Sequence, residues 1–87
     1  MTNSISHLVV ERVDVLPGRA GRIYVTGVLS GEPVSIGDTV SVQNGDETAT
    51  TTIKSIEIHS PPGKTTIVLD ADLGPIVNAG TVIQRRP

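Results

Sequence analysis

The sequence predicts an all-β protein, a small closed Greek-key-like β-barrel of six or seven strands, and three observations carry that prediction. Residues alternate with a period of two in short segments, clearest where Ile23, Val25, Gly27 and Leu29 interleave with Tyr24, Thr26 and Val28. Val, Ile and Thr abound while Leu and Ala are few, a bias that favours strands over helices. Nine Gly and six Pro punctuate the chain often enough for many short strands, and no segment shows capped helical periodicity over about ten residues. Closing such strands into a barrel removes exposed edges.

Residues 1–7 read as a flexible N-terminus and residues 8–87 as a single barrel domain. Leu8–Leu16 is the first expected strand. It carries apolar side chains on both parities, which implies partial cover on both faces or a bulge near Glu11-Arg12. Pro17-Gly18-Arg19-Ala20-Gly21 is a loop by composition, and Arg22–Leu29 is the second strand. Ser30-Gly31 and Gly37-Asp38 are turns whose glycines suit positive φ. Gly27 falls on the inward parity, where a missing side chain lets a neighbour cross closely.

Thr39–Gln43 and Thr48–Ile58 flank Asn44-Gly45-Asp46-Glu47, and Asn-Gly is a strong hairpin signal. Ile53 lies an odd number of residues from Ile56, so a β-bulge is expected near Lys54-Ser55. Ser60-Pro61-Pro62-Gly63 breaks the chain before a strand at Thr65–Asp70. Leu73-Gly74-Pro75 and Asn78-Ala79-Gly80 are turns, and Thr81–Gln84 is the closing strand.

Eighty-seven residues allow one domain with one modest core, which must be aliphatic because Tyr24 is the only aromatic. The formal net charge of −2 argues against a protein that coats nucleic acid or an anionic membrane. With no cysteine, disulfides and thiolate metal sites are excluded. No apolar run approaches the ~18 residues of a membrane span, and the start MTNSISHLVV lacks a secretory pattern. A soluble cytoplasmic protein, monomeric or weakly self-associating, is the expectation.

The residues in view resemble the second, β-barrel domain of translational GTPases such as elongation factor Tu. The resemblance rests on Val10-Glu11-Arg12-Val13, Pro17-Gly18-Arg19, Tyr24-Val25-Thr26-Gly27, Ser30-Gly31 and Ile36-Gly37-Asp38-Thr39-Val40. Later, Ile53–Ile58 and Asn78-Ala79-Gly80-Thr81-Val82-Ile83 match the family more loosely. The similarity runs from about Val10 to Ile83, without the nucleotide-binding and third domains. Two departures stand out: the Gly18–Arg22 loop is about two residues longer than the family's, and Val28 stands where the family tends to carry Arg. In that family the barrel docks on the GTPase domain, on the ribosome or on the acceptor end of aminoacyl-tRNA, so the resemblance implies a docking role.

Candidate chemistry is sparse. Gly63-Lys64-Thr65 ends like a phosphate-binding loop, but Ile58 stands where the first glycine belongs and a strand follows instead of a helix. His7 and His59 have no cysteine beside them, and His59-Ser60 has no third group to complete a triad. Asp70 and Asp72 would share a face in extended chain and could act as paired carboxylates. Arg19 and Arg22 flank a glycine-containing loop and could hold an anion. Tyr24, Thr26 and Val28 form an outward stripe suited to contact, unless a terminus or the Ser60–Lys64 loop covers it.

The reading is a non-enzymatic binding module, with no cofactor and no metal, that engages a protein partner through Tyr24, Thr26, Val28, Arg19 and Arg22. One alternative is an RNA- or ribosome-binding accessory module, disfavoured by the charge and the single aromatic. The other is a small enzyme or ligand-binding barrel using His59, Asp70 and Asp72. A cleft gathering those three would favour it.

Overall fold

The computed structural model describes residues 6–15, 21–57 and 59–85. They form one antiparallel sheet of seven strands, curled into a half-barrel. The strands are β1 (Ser6–Asp14), β2 (Arg22–Gly31), β3 (Thr39–Asn44), β4 (Glu47–Thr52), β5 (Ser55–Glu57), β6 (Thr65–Asp70) and β7 (Val82–Arg85). Their spatial order is β4-β3-β7-β1-β2-β6-β5. A single 3-10 turn, Ala71–Leu73, follows β6.

The core is the concave side of this sheet. Leu8 and Val10 of β1, Ile23 and Val25 of β2, Val40 and Val42 of β3, Ile67 and Leu69 of β6 and Ile83 of β7 meet there. Each pair is two residues apart, as one face of a strand requires. Ile53 and Val77 join them from connecting segments.

In β1 the register runs Val10↔Gly27 and then Arg12↔Thr26, so Glu11 has no partner. That extra residue is a bulge, the second of the two readings of the mixed parity. Leu8 and Val10 point inward before it, and Val13 packs on the core after it. Gly27 sits against the same place. A Cβ there would stand 2.1 Å from the Val9 carbonyl oxygen, so only glycine lets the two strands approach this closely.

Four expectations are corrected. Ser6 and His7, expected within a flexible N-terminus, belong to β1, paired with Gly31 and Ser30, while residues 1–5 lie outside the described residues. The Ser6 side chain is buried and its hydroxyl donates to the Glu32 carbonyl. The β3–β4 hairpin keeps the expected position but is tighter than the four-residue turn Asn44–Glu47. Asn44 pairs with Glu47, and Gly45-Asp46 form the loop. Only Gly45, at φ 61°, takes a positive angle, the pattern of glycine leading a two-residue turn. Asn44 instead sends its Nδ2 to the Ile76 carbonyl at 2.8 Å.

The expected bulge near Lys54-Ser55 is a change of partner. Ile53 exchanges bonds with the turn before β3, through Gly37 N–H to Ile53 O at 2.9 Å and Ile53 N–H to Asp38 O at 3.0 Å. The next residue donates from Lys54 N–H to Val68 O at 2.9 Å, on β6. Consecutive residues thus bond the turn leading into β3 and then β6, and this produces the parity slip between Ile53 and Ile56. The last strand also begins one residue later than expected. Thr81 locks the preceding turn, accepting from Asn78 N–H at 3.0 Å and donating to the Ile76 carbonyl at 3.1 Å.

Candidate functional site

On the convex side, the register lines up outward residues across four strands. One row is Arg12, Thr26, Thr66 and Glu57, from β1, β2, β6 and β5. The adjacent row is Asp14, Tyr24, Val68 and Ser55. Thr66 and Val68 face outward because they alternate with the core residues Ile67 and Leu69.

The first row, with Asp14 and Tyr24 of the second, lines a depression of about 170 Å³. Thr26 and Thr66 are its most buried lining residues, 5% and 6% exposed, and their hydroxyls meet at 2.8 Å. Tyr24 lines it beside them, with Arg12 and Asp14 from β1. Glu57, His59, Ser60 and Pro61 complete the rim. Ser60 is held there by its hydroxyl, which donates to the Glu57 carbonyl at 3.2 Å. Lys64 anchors the far end of the same loop, with Nζ 2.7 Å from Oε1 of Glu11.

Charge around the depression is uneven. Arg12 Nε lies 3.0 Å from Asp14 Oδ2, which neutralises that side. Glu57 is exposed and has no ion-pair partner among the described residues. Every buried side-chain nitrogen or oxygen among the described residues has a hydrogen-bond partner.

The residues singled out in sequence separate into different places. Tyr24, half-buried, and Thr26, buried, belong to the depression. Thr26 is therefore no part of an exposed stripe, because Thr66 bonds it and the depression's rim surrounds it. Val28 does stay open, at 41% exposed, opposite Val9 at 46%. Val9 in turn pairs with the half-buried Val82 of β7. An apolar row Val82–Val9–Val28 thus crosses three strands, one step along β2 from the depression. Arg22 is exposed at the start of β2, opposite Asp70, while Arg19, with residues 16–20, lies outside the described residues.

His59, Asp70 and Asp72 are not gathered in one cleft. His59 lines the depression, but neither aspartate does. Asp70 ends β6 with Oδ2 3.7 Å from Lys54 Nζ. The chain then leaves extended geometry, with Ala71 N–H bonded to Gly21 O at 2.9 Å, so Asp72 sits exposed on the 3-10 turn. The two carboxylates do not share a strand face.

Arg12, Asp14, Glu57 and Thr66 were missed in sequence. In an unbroken β1, Arg12 would follow Leu8 and Val10 inward, and only the bulge at Glu11 turns it out. Among the described residues no cluster of His, Asp or Glu could hold a metal ion, and no helix is long and apolar enough to cross a membrane. No protein-family model matches this chain, and no curated protein matches it.

Proposed function

We propose that this chain is a non-enzymatic binding module that engages a protein partner through the convex face of β1, β2 and β7. The observation that carries this is the apolar row Val82–Val9–Val28, with two valines over 40% exposed and directly opposite each other. Contiguous apolar surface of this kind is a common mark of an interaction site. A net charge of −2 and a single aromatic favour a protein over RNA.

The same proposal places the chain with the barrel domains of translational GTPases, as a closed Greek-key-like barrel working in the cytoplasm. The resembling turns support it: Gly31 and Gly37 take positive φ, at 84° and 93°. So does the change of partner at Ile53-Lys54, where one residue bonds the turn before β3 and the next bonds β6. The test is capture from a lysate, with and without nuclease, using wild type and Val28→Arg side by side. A protein retained after nuclease and lost with Val28→Arg is the expected result. Capture that depends on intact RNA, or is equal for the variant, overturns the reading.

A further inference from the structure

We infer that the depression beside the apolar row receives a cationic side chain, lysine or arginine, from the protein partner. The inference rests on the partner reading above and names the chemistry of the contact. Its first support is charge. With Arg12 and Asp14 cancelling each other at 3.0 Å, Glu57 is the carboxylate left over on the rim, without an ion pair among the described residues. A small acidic depression in an acidic chain attracts a cation and repels an anion.

The second support is the lining. Tyr24 offers the one aromatic ring in the chain, and cations are drawn to aromatic faces. Thr26 and Thr66 bond each other, which still leaves oxygen lone pairs on both hydroxyls to accept from an ammonium or guanidinium group. A volume of about 170 Å³ suits the end of one long side chain rather than a cofactor.

The third support is placement. Thr26 and Tyr24 lie two and four residues along β2 from Val28, or roughly 7 and 14 Å at the rise of a strand. A partner with an apolar residue on Val9 and Val28 would thus bring a neighbouring lysine or arginine to the depression. Apolar contact would supply adhesion and the cation would fix orientation.

The probes are Nα-acetyl-lysine N-methylamide and Nα-acetyl-arginine N-methylamide, titrated into 15N-labelled protein, with the norleucine analogue as uncharged control. Saturable, salt-sensitive shifts at the amides of Tyr24, Thr26, Glu57 and Thr66 are expected with at least one cation and not with norleucine. Glu57→Gln, at an exposed position, should weaken binding about tenfold, the scale of losing one charge-assisted hydrogen bond. Asp46→Asn, on the β3–β4 hairpin, should leave it unchanged.

No saturable shift with either cation, an equal response to norleucine, or unaltered affinity in Glu57→Gln overturns the inference. The two readings fail separately. Cation binding without any Val28-dependent protein partner would sink only the partner reading. A captured partner held equally well by Glu57→Gln would sink only this one.

Discussion

Lys64 reaches across from the loop before β6 to place its Nζ 2.7 Å from Oε1 of Glu11, the residue that the β1 bulge leaves without a strand partner. Bulge and loop are therefore tied to each other. The lysine that resembles a phosphate-binding residue in sequence is occupied with a carboxylate of its own chain. Both side chains are about a third to a half exposed, 32% and 48%, so solvent screens the pair. Glu11→Gln or Lys64→Met should change global stability by no more than about 0.5 kcal/mol. Amide hydrogen exchange over residues 59–64 should quicken while the core strands stay protected. A large fall in melting temperature would contradict this.

Gly27 should be intolerant of any side chain. The atom that an added Cβ would meet is a backbone carbonyl oxygen at 2.1 Å, which cannot swing away as a side chain could. Gly27→Ala should cost at least about 2 kcal/mol, measured by denaturant unfolding, because strands β1 and β2 must part. Gly45→Ala is the comparison. Its φ of 61° is strained for alanine but nothing lies within 4 Å of the new Cβ, so about 1 kcal/mol is expected.

The hydroxyl pair at 2.8 Å between Thr26 and Thr66 gives a thermodynamic cycle. Thr26→Val or Thr66→Val alone leaves one buried hydroxyl without its partner, costing about 1–3 kcal/mol. The double variant replaces both by groups of the same shape and should recover most of that loss. Additive costs in equilibrium unfolding would show that the hydroxyls do not act as a pair.

Val28→Arg should leave stability within about 0.5 kcal/mol of wild type, since the site is 41% exposed and the new charge can reach water. Thermal unfolding checks it. A loss of several kcal/mol would mean that the guanidinium is enclosed, and that a covering segment makes this position part of a core.

Much of the fold could be read from residue order, and the misses share one cause. β6 spans Thr65–Asp70 as its composition suggests, and the aliphatic core follows the period of two in β2 and β3. Pattern alone does not reveal where a strand changes partner. Ile53 and Ile56 show only that parity slips, and a bulge or a switch between β3 and β6 satisfies that equally. The site was less legible. Strand parity alone puts Tyr24 on the outward face, but Thr26 is buried because Thr66 lies opposite, a pairing set by tertiary register. Arg12 faces outward only because Glu11 bulges, and Glu57 belongs to a short strand hidden within one longer expected arm.

The position of β7 has a consequence for how the molecule assembles. This four-residue strand lies between β3 and β1 and is the only ladder connecting the β3–β4 hairpin to the block β1-β2-β6-β5 among the described residues. Its partners include Leu8, opposite Ile83, at the far end of the chain. This ladder brings the two ends of the described chain together, so forming it closes a long loop at an entropic cost. Folding on such a path is slow for a domain of this size. The expectation is that the β7 seam forms late and completes both halves of the sheet together, which φ-values at Leu8 and Ile83 near zero would check.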